Sequence, residues 1–132
     1  MINKLNWTWF VLILLIMAMI ACGGQAEPTE APRSTLEPLA AAGETVFKKE
    51  CAACHSVVSD TTIVGPSLLG IASRAATRVD GQDAETYLLN SIMDPGDYIV
   101  ENFDNVMPSN FGKKLTGEEI DSLVVYLLTL QE

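Results

Sequence analysis

Residues 51–55 read Cys51-Ala52-Ala53-Cys54-His55, and this stretch decides how the rest of the chain is to be understood. Two thiols separated by two residues can each form a thioether with a vinyl group of one haem. An imidazole directly after the second thiol then comes to lie under the iron. The same residues could supply half of a structural zinc site or a redox dithiol. Zinc needs a second ligand pair, but the only other cysteine is Cys22 and His55 is the only histidine. A thioredoxin-like dithiol would sit in a βαβ pattern, and none surrounds this one. The motif therefore points to one covalent haem c, anchored by Cys51 and Cys54 and ligated by His55.

A single histidine also restricts the other side of the iron. One copy of the chain cannot build a bis-histidine haem, so the sixth position goes to a methionine, goes to a weaker ligand, or stays open. Beyond the apolar N-terminal segment the methionines are Met93 and Met107. Met93 falls inside a helical apolar pattern, which marks it for core packing. Met107 falls in Val106-Met107-Pro108-Ser109-Asn110-Phe111-Gly112, an irregular stretch in which proline fixes the backbone and blocks helix before it. A methionine on a rigid loop, 52 residues after His55, can reach the opposite haem face.

The flanking sequence is helical. Residues 40–53 form one helical stretch with Gly43 and Phe47 four apart on one face. Residues 86–93 carry Tyr87, Leu88, Leu89 and Ile92 and are stopped by Asp94-Pro95-Gly96. Thr116 and Glu119 make a capping box that opens a last helix. In that helix Ile120, Leu123, Val124, Leu127 and Leu128 follow amphipathic spacing. A further short helix is predicted near residues 68–76. Strand signals are weak, since residues 98–100 are brief and have no partner run. So few long apolar stretches over some 90 residues make a thin core. A central haem would supply the missing apolar volume.

On these residues, 41–132 resemble the class I monohaem cytochromes c. Gly43, Phe47 and Tyr126 stand where that family packs its first and last helices together. Gly65-Pro66-Ser67-Leu68-Leu69-Gly70 is similar to its loop beneath the haem. The stretch from Tyr87 through Tyr98 to Pro108 is similar to the haem c domains of haem-copper oxidase subunit II. It is similar also to monohaem lipoprotein subunits of quinol-oxidising complexes. The resemblance implies an all-α cytochrome c fold of three to five helices wrapped around one haem. It further implies that Pro66 accepts a hydrogen bond from the proximal imidazole, that Met107 is the distal ligand, and that Tyr98 lies near a propionate.

Outward from this domain, residues 7–21 are fifteen residues broken only by Thr8. That is short of the roughly 20 apolar residues of a membrane span and suits a signal-peptide core. Met19-Ile20-Ala21-Cys22 is similar to a lipoprotein signal, with Met19 where leucine is more usual. The expected organisation is a signal peptide over 1–21, a lipidated Cys22 opening a flexible Pro-rich linker over 22–40, and the haem domain over 41–132. The competing reading is an uncleaved N-terminal anchor. Both tether the domain to the lipid bilayer, on the extracytoplasmic (periplasmic) face. Residues 23–40 hold three prolines and little to bury, a disordered composition. Fully extended they reach roughly 55 Å, and as a coil nearer 25 Å.

Residues 43–132 hold fourteen acidic against six basic residues, a net charge of −8, which makes nucleic acid a poor partner. With His55 and Met107 both on iron, no coordination position is free for substrate. The expected function is therefore one-electron transfer, not enzymatic catalysis. The partner would be a respiratory or photosynthetic membrane complex, a soluble redox protein, or both, with the chain a tethered shuttle or a fixed subunit. The alternatives are a haem enzyme, which would need an open iron, and a redox or gas sensor with a labile distal ligand.

Overall fold

The computed structural model describes residues 33–131; the expected signal peptide (1–21), Cys22 and the expected linker as far as residue 32 lie outside them. Among the described residues the chain forms five helices and no strand. They are α1 (Arg33–Glu50), α2 (Ile71–Ala75), α3 (Ala84–Met93), α4 (Phe111–Lys114) and α5 (Gly117–Thr129). The class is all-α, as expected. No helix among them is long and apolar enough to cross a membrane.

The first helix departs from the sequence reading at both ends. It begins at Arg33, inside the stretch read as linker, and contains Pro38. Leu36, Glu37 and Ala40 to Ala42 are good helix formers, and Pro38 removes only one backbone bond near the start. Residues 36–39 are exposed, so propensity rather than packing carries that part. At the other end α1 stops at Glu50. The motif then forms a turn capping it, with the Cys51 and Ala52 amides donating to the Phe47 carbonyl at 2.8 and 3.0 Å.

The core is built where α1 crosses α5. A Cβ on Gly43 would lie 1.9 Å from the Ser122 carbonyl oxygen, so only glycine permits the approach. Close contact buries Val46 and Phe47 of α1 against Leu123, Val124 and Leu127 of α5. Each such side chain stabilises the fold by about 1.5–3 kcal/mol. Phe47 and Tyr126 meet at a 5.6 Å centroid distance with planes tilted by 50°, beside the crossing. The last helix starts as the sequence predicts. Glu119 N–H donates to Thr116 Oγ1 at 3.2 Å, and Thr116 N–H donates to Glu119 Oε2 at 2.9 Å.

Helix α3 opens on Asp83, whose Oδ1 accepts from the Thr86 amide at 2.8 Å, and ends at Asp94-Pro95. It buries Tyr87, Leu88 and Ile92. Met93 is a correction: it is 43% exposed instead of core, with its methyl lying over Gly112. Leu88 and Ile92 share the inward face, whereas Leu89 and Met93 stand one position further round, towards solvent. Helix α4 is new. Its four residues are too few to show a period, and buried Phe111 is what seats them.

Candidate functional site

The motif turn at the end of α1 brings its three chemical groups to one wall of a cavity of about 210 Å³. Cys54 and His55 N–H both donate to the Cys51 carbonyl at 3.0 Å, which winds the five residues tightly. The chain then loops out and returns, its Val64 and Gly65 amides donating to the Cys54 carbonyl at 3.2 and 3.0 Å. This return sets Pro66 beside His55. Nδ1 of His55 lies 2.8 Å from the Pro66 carbonyl, and since a carbonyl only accepts, Nδ1 carries the proton. Nε2 is thereby left as the free lone pair of the ring.

Gly65 is the residue that lets the imidazole stand there. A Cβ at this position would lie 2.4 Å from Cε1 of the ring and 3.0 Å from both ring nitrogens. The loop that carries Gly65 and Pro66 is fastened from several directions. Leu68 N–H donates to the Ser56 carbonyl at 2.8 Å, and the buried Ser67 hydroxyl donates to the Ser59 carbonyl at 2.9 Å. Arg74 on α2 donates to the carbonyls of Leu69 and, at 3.0 Å, Ser67. The sequence flagged the glycine and proline of this loop; it did not flag Ser67 or Arg74, whose roles depend on contacts across the turn.

The cavity is lined as well by α3 and by the irregular segment between α3 and α4. Tyr87, Leu88 and Ile92 face it from α3, and Tyr98 and Met107 from the segment. Tyr98 packs edge-on to Tyr87 at 5.8 Å. Met107 is half-buried and packs against the apolar core. Thus Cys51, Cys54, His55, Pro66, Tyr98 and Met107 all line one cavity; Met93 is not among its lining residues, and Cys22 lies outside the described residues.

Electrostatics argue against the dithiol reading. Burial, with smaller contributions from Glu50 and Cys54, pushes the Cys51 thiol up to about 11. A redox dithiol needs the opposite, a depressed value that populates thiolate. Among the described residues no cluster of three or more His, Cys, Asp and Glu could hold a metal ion, so a protein-only zinc site has no support there either. Beside Cys51, Glu50 accepts from the Lys114 ammonium, and Lys49 lies at 3.4 Å; the Lys114 bond leads in holding the carboxyl below its ordinary range.

The residues fit a covalently attached haem. Two thiols and a ring nitrogen share one wall, a glycine clears the ring, and largely apolar side chains face it. The comparisons agree with this geometry. A protein-family model described as Cytochrome c matches residues 40–131. A protein named Cytochrome c6 from Diacronema lutheri is 36% identical over 89 residues, which cover 66% of this chain and 90% of that protein.

Proposed function

Because this chain belongs to the cytochrome c family, we propose that it works as a membrane-tethered carrier of single electrons between respiratory or photosynthetic complexes. At the coarser level it is an electron-carrying cytochrome with one covalently bound haem c. The haem, when bound, supplies a one-electron change at iron. In our reading Cys51 and Cys54 would hold it through thioethers, and His55 Nε2 and Met107 Sδ would ligate its iron. Pro66 keeps the imidazole in its Nδ1–H tautomer, and Tyr98 would lie by a propionate. The apolar wall excludes water, which favours the less charged ferrous state.

One observation carries the axial assignment. The only histidine, its Nδ1 already committed to Pro66, lines the same cavity as Met107. With both axial positions filled, ferrous protein should resist carbon monoxide, and ferric protein should show the weak near-infrared sulfur-to-iron band. Rapid stoichiometric carbon monoxide binding by the wild type would sink the proposal and favour the enzyme or sensor reading. Met107→Ala should abolish the band, admit carbon monoxide and lower the potential.

The tether is the second half of the proposal and rests on Met19-Ile20-Ala21-Cys22. It places the domain on the extracytoplasmic face, lipid-anchored, either as a shuttle or as a subunit of a larger assembly. Cys22→Ser should remove the lipid mass from the mature protein expressed in a host that lipidates. An unchanged mature mass would leave the anchor without support.

A further inference from the structure

We propose that the buried hydroxyls of Ser56 and Ser67 are positioning groups for the imidazole, locking the angle between the His55 ring and its own backbone. Ser56 directly follows His55, and Ser67 directly follows Pro66, whose carbonyl takes the Nδ1 proton of the ring. Both serines are buried, at 8% and 7% exposure, although the intervening residues 58–64 are all exposed. Ser67 Oγ donates to the Ser59 carbonyl at 2.9 Å and accepts from the Leu69 amide at 3.2 Å. Ser56 Oγ accepts from the Ser59 amide at 3.2 Å and shares a 3.1 Å bond with the Ser59 hydroxyl.

These bonds close a cycle. It leaves the imidazole at Nδ1, enters the Pro66 carbonyl and crosses one peptide bond to Ser67. From the Ser67 hydroxyl it passes to the Ser59 carbonyl, then from the Ser59 amide to the Ser56 hydroxyl, and so back to the backbone of His55. A second tie spans the same gap, the Leu68 amide donating to the Ser56 carbonyl at 2.8 Å. The imidazole therefore cannot turn about its own side-chain bonds without stretching a hydrogen bond somewhere in the cycle. What this fixes is chemical as well as geometric. A well-aligned bond from Nδ1–H to a carbonyl makes the imidazole a more basic ligand, and a more basic ligand favours ferric iron. The two serines act on the metal through His55 and Pro66.

The proposal rests on reading this cavity as the haem site. That premise is tested separately, by the mass of one haem on the peptide spanning Cys51 and Cys54. The test of the serines uses holoprotein: wild type, Ser67→Ala, Ser56→Ala, and Thr116→Ala as a helix-cap variant outside the cycle. Proton magnetic resonance of the ferrous protein reads the His55 Nδ1 proton, a redox titration reads the midpoint, and thermal unfolding reads stability. Opening the cycle at either serine should move that proton upfield and shift the equilibrium towards ferrous iron by up to about tenfold. For one electron a tenfold shift is about 59 mV upwards. Thr116→Ala should lower the melting temperature and leave both the proton and the midpoint as in wild type. A serine that merely held the loop together would behave in the same way as Thr116. An Nδ1 proton at its wild-type position in either serine variant overturns the proposal, whatever the melting temperature does, and so does an equal displacement in Thr116→Ala.

Discussion

Around His55 the tolerance for extra atoms is close to nil. Gly65 meets the imidazole where even a methyl group would overlap Cε1 at 2.4 Å. Gly65→Ala should therefore displace the ring, lengthen the Nδ1 bond to Pro66 and destabilise the holoprotein by about 1–3 kcal/mol. Thermal unfolding would read the cost, and the hyperfine-shifted imidazole protons would read the displacement; wild-type values for both would refute the role given to Gly65. Met93→Ala is the contrasting case. Met93 sits half in solvent over Gly112, so its removal should cost about 1 kcal/mol or less and leave the near-infrared band intact. Its apolar neighbours Leu88 and Ile92 made it look like core, but a difference of one position, 100° around a helix, reverses its burial. Cys51 to His55 could be read directly because their spacing is itself the chemistry. Ser67 and Arg74 could not, because what they do depends on carbonyls five to eight residues away.

Two helices carry most of the architecture, and their strengths are unequal. At the α1–α5 crossing the obstacle to any side chain at position 43 is a backbone oxygen, which cannot rotate aside. Gly43→Ala should cost more than about 3 kcal/mol and lower the yield of folded holoprotein. Thr116→Ala, which deletes one half of the capping box, should cost about 1 kcal/mol and leave the spectrum unchanged. Denaturant titrations of the two variants would rank them, and equal losses would contradict the central place given to the crossing. Helices α3 and α5 were legible because each has a stop or start signal beside a sustained apolar period. Helix α4 had neither. The N-terminal half of α1 was masked by Pro38 and by a composition that suits a linker equally well.

At the scale of the whole domain, acidity is balanced at one point that matters for the fold. Glu50 ends α1 and accepts from Lys114, the last residue of α4. Its folded-state value lies below that of an unfolded glutamate, so the stabilisation is complete above the unfolded value and is lost as pH falls through the lower folded one. Melting temperatures from pH 7 down to pH 3 should fall more gently in Glu50→Gln than in wild type; parallel curves would show that the pair contributes nothing. The two helices it joins begin and end the segment that bears every expected haem contact. The Gly43–Ser122 crossing closes that segment into a circuit, with His55 near one end of it and Met107 near the other. If Met107 holds the iron as proposed, a small separation of α1 from α5 would widen the circuit at its clasp and weaken the sulfur bond. The near-infrared band of the ferric protein would then be an optical gauge for a helix–helix contact that itself absorbs no such light.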